Sequence, residues 1–226
     1  MRKNKVITTE DILLKLCQSV SQVFTSATSS DVSYSAMVQK IHKTALKPDL
    51  GCFVLFDGGF SGLVVINFTS QAALELYRKY MINMGMPADD LAVLHTSDDV
   101  GDVLGELMNQ LVGDFTVKIR NELRTNITQN QPKMLAINKQ VILSVDTNLD
   151  RPQVRRVTFS TEENNIFYLE LAMDKTEFIQ MEEFEADDEI CPDAIIEQAQ
   201  SESSVEMPVA SNVREESADL LDELGI

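Results

Sequence analysis

The stretch GDVLGELMNQLVGDF, Gly101 to Phe115, places its apolar residues at helical intervals. At roughly 100° per residue, Val100, Leu104, Leu107, Leu111 and Phe115 form one stripe. Asp102, Glu106, Asn109 and Gly113 fall within about 60° of one another on the opposite side. Ser97 stands in front as an N-cap, with Asp98 and Asp99 in the first turn, where negative charge favours the helix dipole. The pattern predicts a helix over 98–123 that buries the Leu/Val/Phe stripe and turns two acids and a carboxamide outward. Glycine inside a helix costs about 0.5–1 kcal/mol relative to alanine, so Gly105 and Gly113 beside that polar face imply close approach by something. Pro132 follows Asn109 after 22 intervening residues and precedes KMLAIN, where it is expected to open a strand.

Working outward, two halves repeat one plan. Ile12, Leu13, Leu16, Val20, Val23 and Phe24 mark an amphipathic helix over 9–28. Three strand-like runs follow, SAMVQKIHK, GCFVLFD and GLVVINF, with Asp57-Gly58-Gly59 as a hairpin turn between the last two. A helix over 70–84 is stopped by Gly85 and Pro87. After the helix at 98–123, strands are expected near 133–146, 153–160 and 166–173, the last two joined through Glu162-Glu163-Asn164-Asn165. A helix followed by antiparallel strands, twice over, predicts an α+β domain with long helices packed on a mostly antiparallel sheet.

The chain has 226 residues and a formal charge of −17, unevenly spread. Residues 181–226 carry fifteen acids against Arg214 alone, a charge of −14 that leaves −3 for the rest. Neither part offers the basic surface that nucleic acid or an anionic membrane needs, so neither is an expected partner. Cys17, Cys52 and Cys191 are far apart and odd in number, which argues against a disulfide framework and for a reducing, cytoplasmic setting. No segment has the length and apolarity of a membrane span. The two histidines, His42 on a strand-like run and His95 on a loop, lack the spacing of a metal site or a Ser/His triad, and no metal is expected.

Asp102, Glu106, Asn109 and Pro132 together match an acid or Ser, three residues, Glu, two residues, Asn, twenty-two residues, Pro. A chance match to all four positions arises in roughly a few chains per thousand of this length. This is the pattern of the CheC/CheX/FliY family of bacterial chemotaxis phosphatases, which the chain resembles. The resemblance implies a pseudo-twofold fold and a protein aspartyl-phosphate phosphatase acting on a phosphorylated CheY-like response regulator. In that reading Asn109 orients the attacking water, Glu106 pairs with the regulator's lysine, and Asp102 is an orienting group. No cofactor of its own is implied, because the regulator supplies Mg2+. CheC-like members carry the motif on the first helix too; here that helix offers Asp11, Lys15 and Gln18, with lysine in place of glutamate. The single motif is CheX-like, and a homodimer is expected on the same resemblance. The alternative is a non-catalytic docking module for a response regulator, of the flagellar-switch kind.

The tail changes character twice. From 179 to 215 the chain is acidic, Ser-rich and nearly free of aromatics, the composition of a disordered linker after a phosphatase domain at 1–178. Residues 216–226 contain SADLLDELGI, a short amphipathic helix that needs a partner groove to form. It resembles the C-terminal peptide of CheZ, which binds the same class of regulator. Leu220, Leu221, Leu224 and Ile226 are the expected buried contacts, flanked by Asp219 and Asp222.

Overall fold

The computed structural model describes residues 6–137, 141–145, 148–149 and 151–179, all within the compact unit Met1–Met181. The linker beyond 179, Cys191 and the peptide at 216–226 with its four contact residues, Asp219 and Asp222 lie outside the described residues.

Among the described residues, three α-helices pack on an antiparallel sheet, an α+β fold. A short strand β1 (Val6–Thr8) leads into helix α1 (Thr9–Thr28), whose start is fixed by a capping box between Thr8 and Asp11. Next come β2 (Val32–Tyr34), β3 (Gln39–Ile41), β4 (Thr44–Leu46), and the long hairpin β5 (Leu50–Gly58) and β6 (Gly62–Phe68). Helix α2 (Ser70–Asn83) is capped by the Thr69 hydroxyl, and Gly85 follows it at φ 90°, a left-handed conformation that suits glycine. The second half repeats the order: α3 (Asp98–Leu123), β7 (Ile127–Gln129), β8 (Lys133–Ala136), β9 (Leu143–Val145), then the hairpin β10 (Pro152–Thr161) and β11 (Ile166–Asp174). A last strand, β12 (Glu177–Ile179), pairs with β1.

The helices predicted over 9–28, 70–84 and 98–123 stand where expected, but the strands are finer than their runs. SAMVQKIHK resolves into β3 and its flanks, with His42 on the bend before β4. The run at 133–146 is two strands: β8 pairs with β5 and β9 with β4. The hairpin turn sits later than predicted. Asp57 and Gly58 stay in β5 because they pair with Thr128 and Ile127 of β7, so the chain reverses at 59–61.

The sheet runs β2-β10-β11-β6-β5-β7, with β3 also on β10 and β8 also on β5. Its centre is the β11–β6 pair, and each half mirrors the other about it. The strands after α1 pair with the second hairpin, and those after α3 pair with the first. Each half is therefore completed by the other. All seven residues of β6 are buried, which explains why Leu63 to Ile66 are apolar in succession rather than alternating. One face packs against the helices through Val64, Ile66 and Phe68; the other meets Leu46, Ile137 and Val154.

Candidate functional site

Helix α3 carries the site because its other side is locked down. Val100, Leu104, Leu107, Met108, Leu111, Val112, Phe115 and Ile119 are all buried. At about 1.5–3 kcal/mol for each such side chain, this burial outweighs the roughly 1 kcal/mol cost of each glycine in the helix. Lys118 ties α3 to α1 by donating to Ser19 Oγ (3.2 Å) and Gln22 Oε1 (2.9 Å), while it pairs with Asp114 at 2.7 Å. The helix face that remains free is thus held in one orientation.

That face forms one wall of an open groove of about 720 Å³. Asp102, Glu106 and Asn109 line it, all three exposed, and so does Pro132, brought alongside by the β7–β8 connection. All four motif residues therefore meet in one place. Pro132 immediately precedes β8, as expected of a strand-opening proline, and Met134 and Ala136 of β8 continue that wall. Glu106 Oε1 accepts a hydrogen bond from Gln110 Nε2 at 3.0 Å, which limits its rotamers without hiding it.

The glycines gain meaning here. A Cβ at Gly101 or Gly113 would meet nothing within 4 Å, and one at Gly105 would find only Met134 Cγ at 3.6 Å, an ordinary contact. Nothing within the described residues requires glycine at these positions. Asn109 stands one turn from Gly105 and one turn from Gly113, so its amide projects from a helix surface left bare on either side.

His95 and Gln131 also line the groove, and the sequence singles out neither as a site residue. His95 enters because the turn Leu94–Ser97, closed by Ser97 N donating to Leu94 O at 3.1 Å, folds back to cap α3. No periodicity marks such a residue; only the cap signal at Ser97 hints that its neighbours lie at a helix mouth. Among the described residues, no three His, Cys, Asp or Glu side chains form a group able to hold a metal ion. No described helix is long and apolar enough to cross a membrane.

The corresponding positions on α1 are committed elsewhere. Asp11 closes the capping box at Thr8, its carboxyl held below the usual range by the Thr8 backbone N–H and then the Thr8 hydroxyl. Lys15 Nζ forms an ion pair with Glu122 Oε2 of α3 at 2.8 Å. Gln18 faces only a shallow hollow with Gln22, Thr25 and Tyr34.

Solved chemotaxis proteins share this fold. CheX from Desulfovibrio desulfuricans superposes with a TM-score of 0.60 at 17% identity, over 73% of this chain and 99% of that one. CheX from Borrelia burgdorferi, solved in complex with CheY, BeF3 and Mg2+, superposes at 0.52 with 16% identity, over 73% and 99%. FliY from Thermotoga maritima superposes at 0.51 with 15% identity, over 74% and 91%. No curated protein matches the sequence. The family model that matches, over residues 3–226, is the one described as a protein of unknown function, DUF3334, and the chain belongs to that family, built on the CheX fold.

Proposed function

We propose that the chain docks a phosphorylated response regulator of the CheY type and hydrolyses its aspartyl phosphate. The observation that carries this reading is the meeting of Asp102, Glu106, Asn109 and Pro132 in one open groove on a rigidly held helix. The Borrelia relative, seen with CheY, BeF3 and Mg2+, supports the class of partner.

An acyl phosphate on a receiver aspartate is already activated, and Mg2+ arrives with that substrate. Hydrolysis then depends mainly on placing a water in line with the phosphorus, opposite the aspartate oxygen. Water attacks phosphorus, the bond from phosphorus to the carboxylate oxygen breaks, the receiver's aspartate carboxylate is regenerated, and inorganic phosphate leaves with the water's oxygen while the water's proton passes to phosphate or solvent. A carboxamide is suited to hold that water, because the Asn109 oxygen accepts from it while the NH2 donates, with no change of protonation state. Glu106, which accepts from Gln110, would pair with a cation on the partner, and Asp102, one turn earlier, would align the docked surface. The peptide at 216–226 would act as a tether, raising the local concentration of the regulator.

The test is phosphate release from phosphorylated CheY-type receivers with Mg2+, for the full chain, Asn109→Ala and a chain ending at Ala210. Loss of turnover in Asn109→Ala with binding retained supports the phosphatase. Binding without any acceleration by the full chain would replace it with the docking-module reading. A raised KM with unchanged kcat in the truncation marks the tail as a tether.

A further inference from the structure

Just before the groove wall in the chain stand two exposed apolar residues, Val93 and Leu94, that the motif does not account for. In the segment between α2 and α3, Leu91 is buried in the core and Ala92 N donates to the Tyr77 hydroxyl at 3.2 Å. Further along, the turn closes from Ser97 N to Leu94 O, and Ser97 caps α3. Between these two anchors Val93 and Leu94 stand 69% and 64% exposed. The pair does not turn inward with Leu91. Nor is the exposure that of a loose loop, since the backbone on each side is hydrogen-bonded to the folded domain. His95, Thr96 and Ser97 continue directly from this pair into the groove wall.

We propose that Val93 and Leu94 are a hydrophobic anchor for the same partner that engages the groove. The proposal rests on the docking reading above and adds where that partner sits. The motif face is too small to hold a globular partner alone. A specific interface covers about 800 Å² on each side, whereas Asp102 to Asn109 spans roughly 10 Å of helix. From Ser97 to Asn109 the helix rises roughly 18 Å, so a receiver whose acid pocket meets Asn109 extends over the N-terminal mouth of α3. Apolar anchors seated beside a polar reactive centre supply affinity there, and the centre supplies chemistry. The partner implied is thus a receiver domain carrying an apolar patch beside its phosphorylated pocket. Its contact with this chain runs along α3 toward the α2–α3 segment.

The experiment uses the full chain and the phosphorylated CheY-type receiver on which the wild type is most active. It compares wild type, Val93→Ser with Leu94→Ser, and Leu14→Ser, an exposed apolar control on α1 that is 47% exposed. The expected result for the double variant is a KM or Kd raised about tenfold or more, with kcat and melting temperature unchanged. The control stays at wild-type values. An unchanged KM in the double variant, with wild type active, overturns this inference and leaves the phosphatase reading intact. A change in sedimentation of the double variant without a change in receiver affinity assigns the pair to self-association and also overturns it. A wild type that neither binds nor turns over any receiver sinks both readings together.

Discussion

Lys15 Nζ and Glu122 Oε2 lie 2.8 Å apart, joining α1 to the C-terminal end of α3. Lys15 stands on the first helix at the position the motif comparison matches to Glu106 on α3, and here it holds the two helices together. The two pseudo-twofold halves differ here: Lys15 of α1 is engaged in an ion pair, while Glu106 of α3 lines the groove.

Lys15→Glu is expected to destabilise the fold rather than create a second site. It sets a carboxylate against Glu122 where both side chains are about a quarter exposed. The cost is about 1 kcal/mol, or roughly 2–4 °C in melting temperature for a domain of this size. The charge swap Lys15→Glu with Glu122→Lys should recover most of that loss, measured by thermal unfolding. Phosphate release per chain should not rise in either variant.

Gly105→Ala and Gly113→Ala are expected to separate stability from function. Neither added methyl meets a clash, so each should stabilise the helix by about 0.5–1 kcal/mol. If a partner approaches the bare backbone beside Asn109, the same methyls should weaken receiver binding. Raised melting temperature with undiminished turnover would show that the glycines play no part in docking.

Glu75 is expected to be a keystone of the second hairpin. It is buried on α2 and accepts from the Thr161 hydroxyl, from Glu163 N at 3.2 Å and from Asn165 Nδ2 at 2.8 Å. It also pairs with Lys79 at 3.4 Å. Glu75→Ala strands these donors and should cost about 3–5 kcal/mol in chemical denaturation. Amide exchange should rise first in the turn at 162–165.

Asp11 should contribute to the acid limb of stability. Its carboxyl is depressed by the hydrogen bonds from Thr8, first the backbone N–H and then the hydroxyl. A depressed carboxylate contributes stability that is complete above its unfolded value, near pH 4, and is lost as pH falls through the lower folded value. Asp11→Asn should therefore flatten the stability profile below about pH 4, while costing about 1 kcal/mol near neutrality through the weakened cap.

Cys17 and Cys52 should be inert in the native protein. Both are buried and free, and burial pushes each thiol up to about 12. In a Cys191→Ser background, a thiol reagent at pH 8 should label neither until the chain is unfolded, and both afterwards. Native labelling would indicate local opening of the core.

The helices, their caps and the polar face of α3 were legible in the sequence because each depends on residues within a turn or two of itself. Ser97, Asp98 and the stripe from Val100 to Phe115 carry their own instructions. The run GLVVINF likewise announced a strand, and the structure shows it buried on both faces. Beyond the hairpin of β5 and β6, the tertiary structure alone decided which strands pair. β2 and β3 join β10, and β7 and β8 join β5, through contacts between residues about a hundred positions apart or more for the first set and about seventy or more for the second. Asp57 and Gly58 looked like a turn and became strand because β7 supplied partners for their backbone. The same long-range pairing set β8 beside α3 and carried Pro132, Gln131 and Met134 to the motif. Local spacing specified the polar face of one helix; the groove around it exists only because a sheet must pair its edges and bury its faces at the same time.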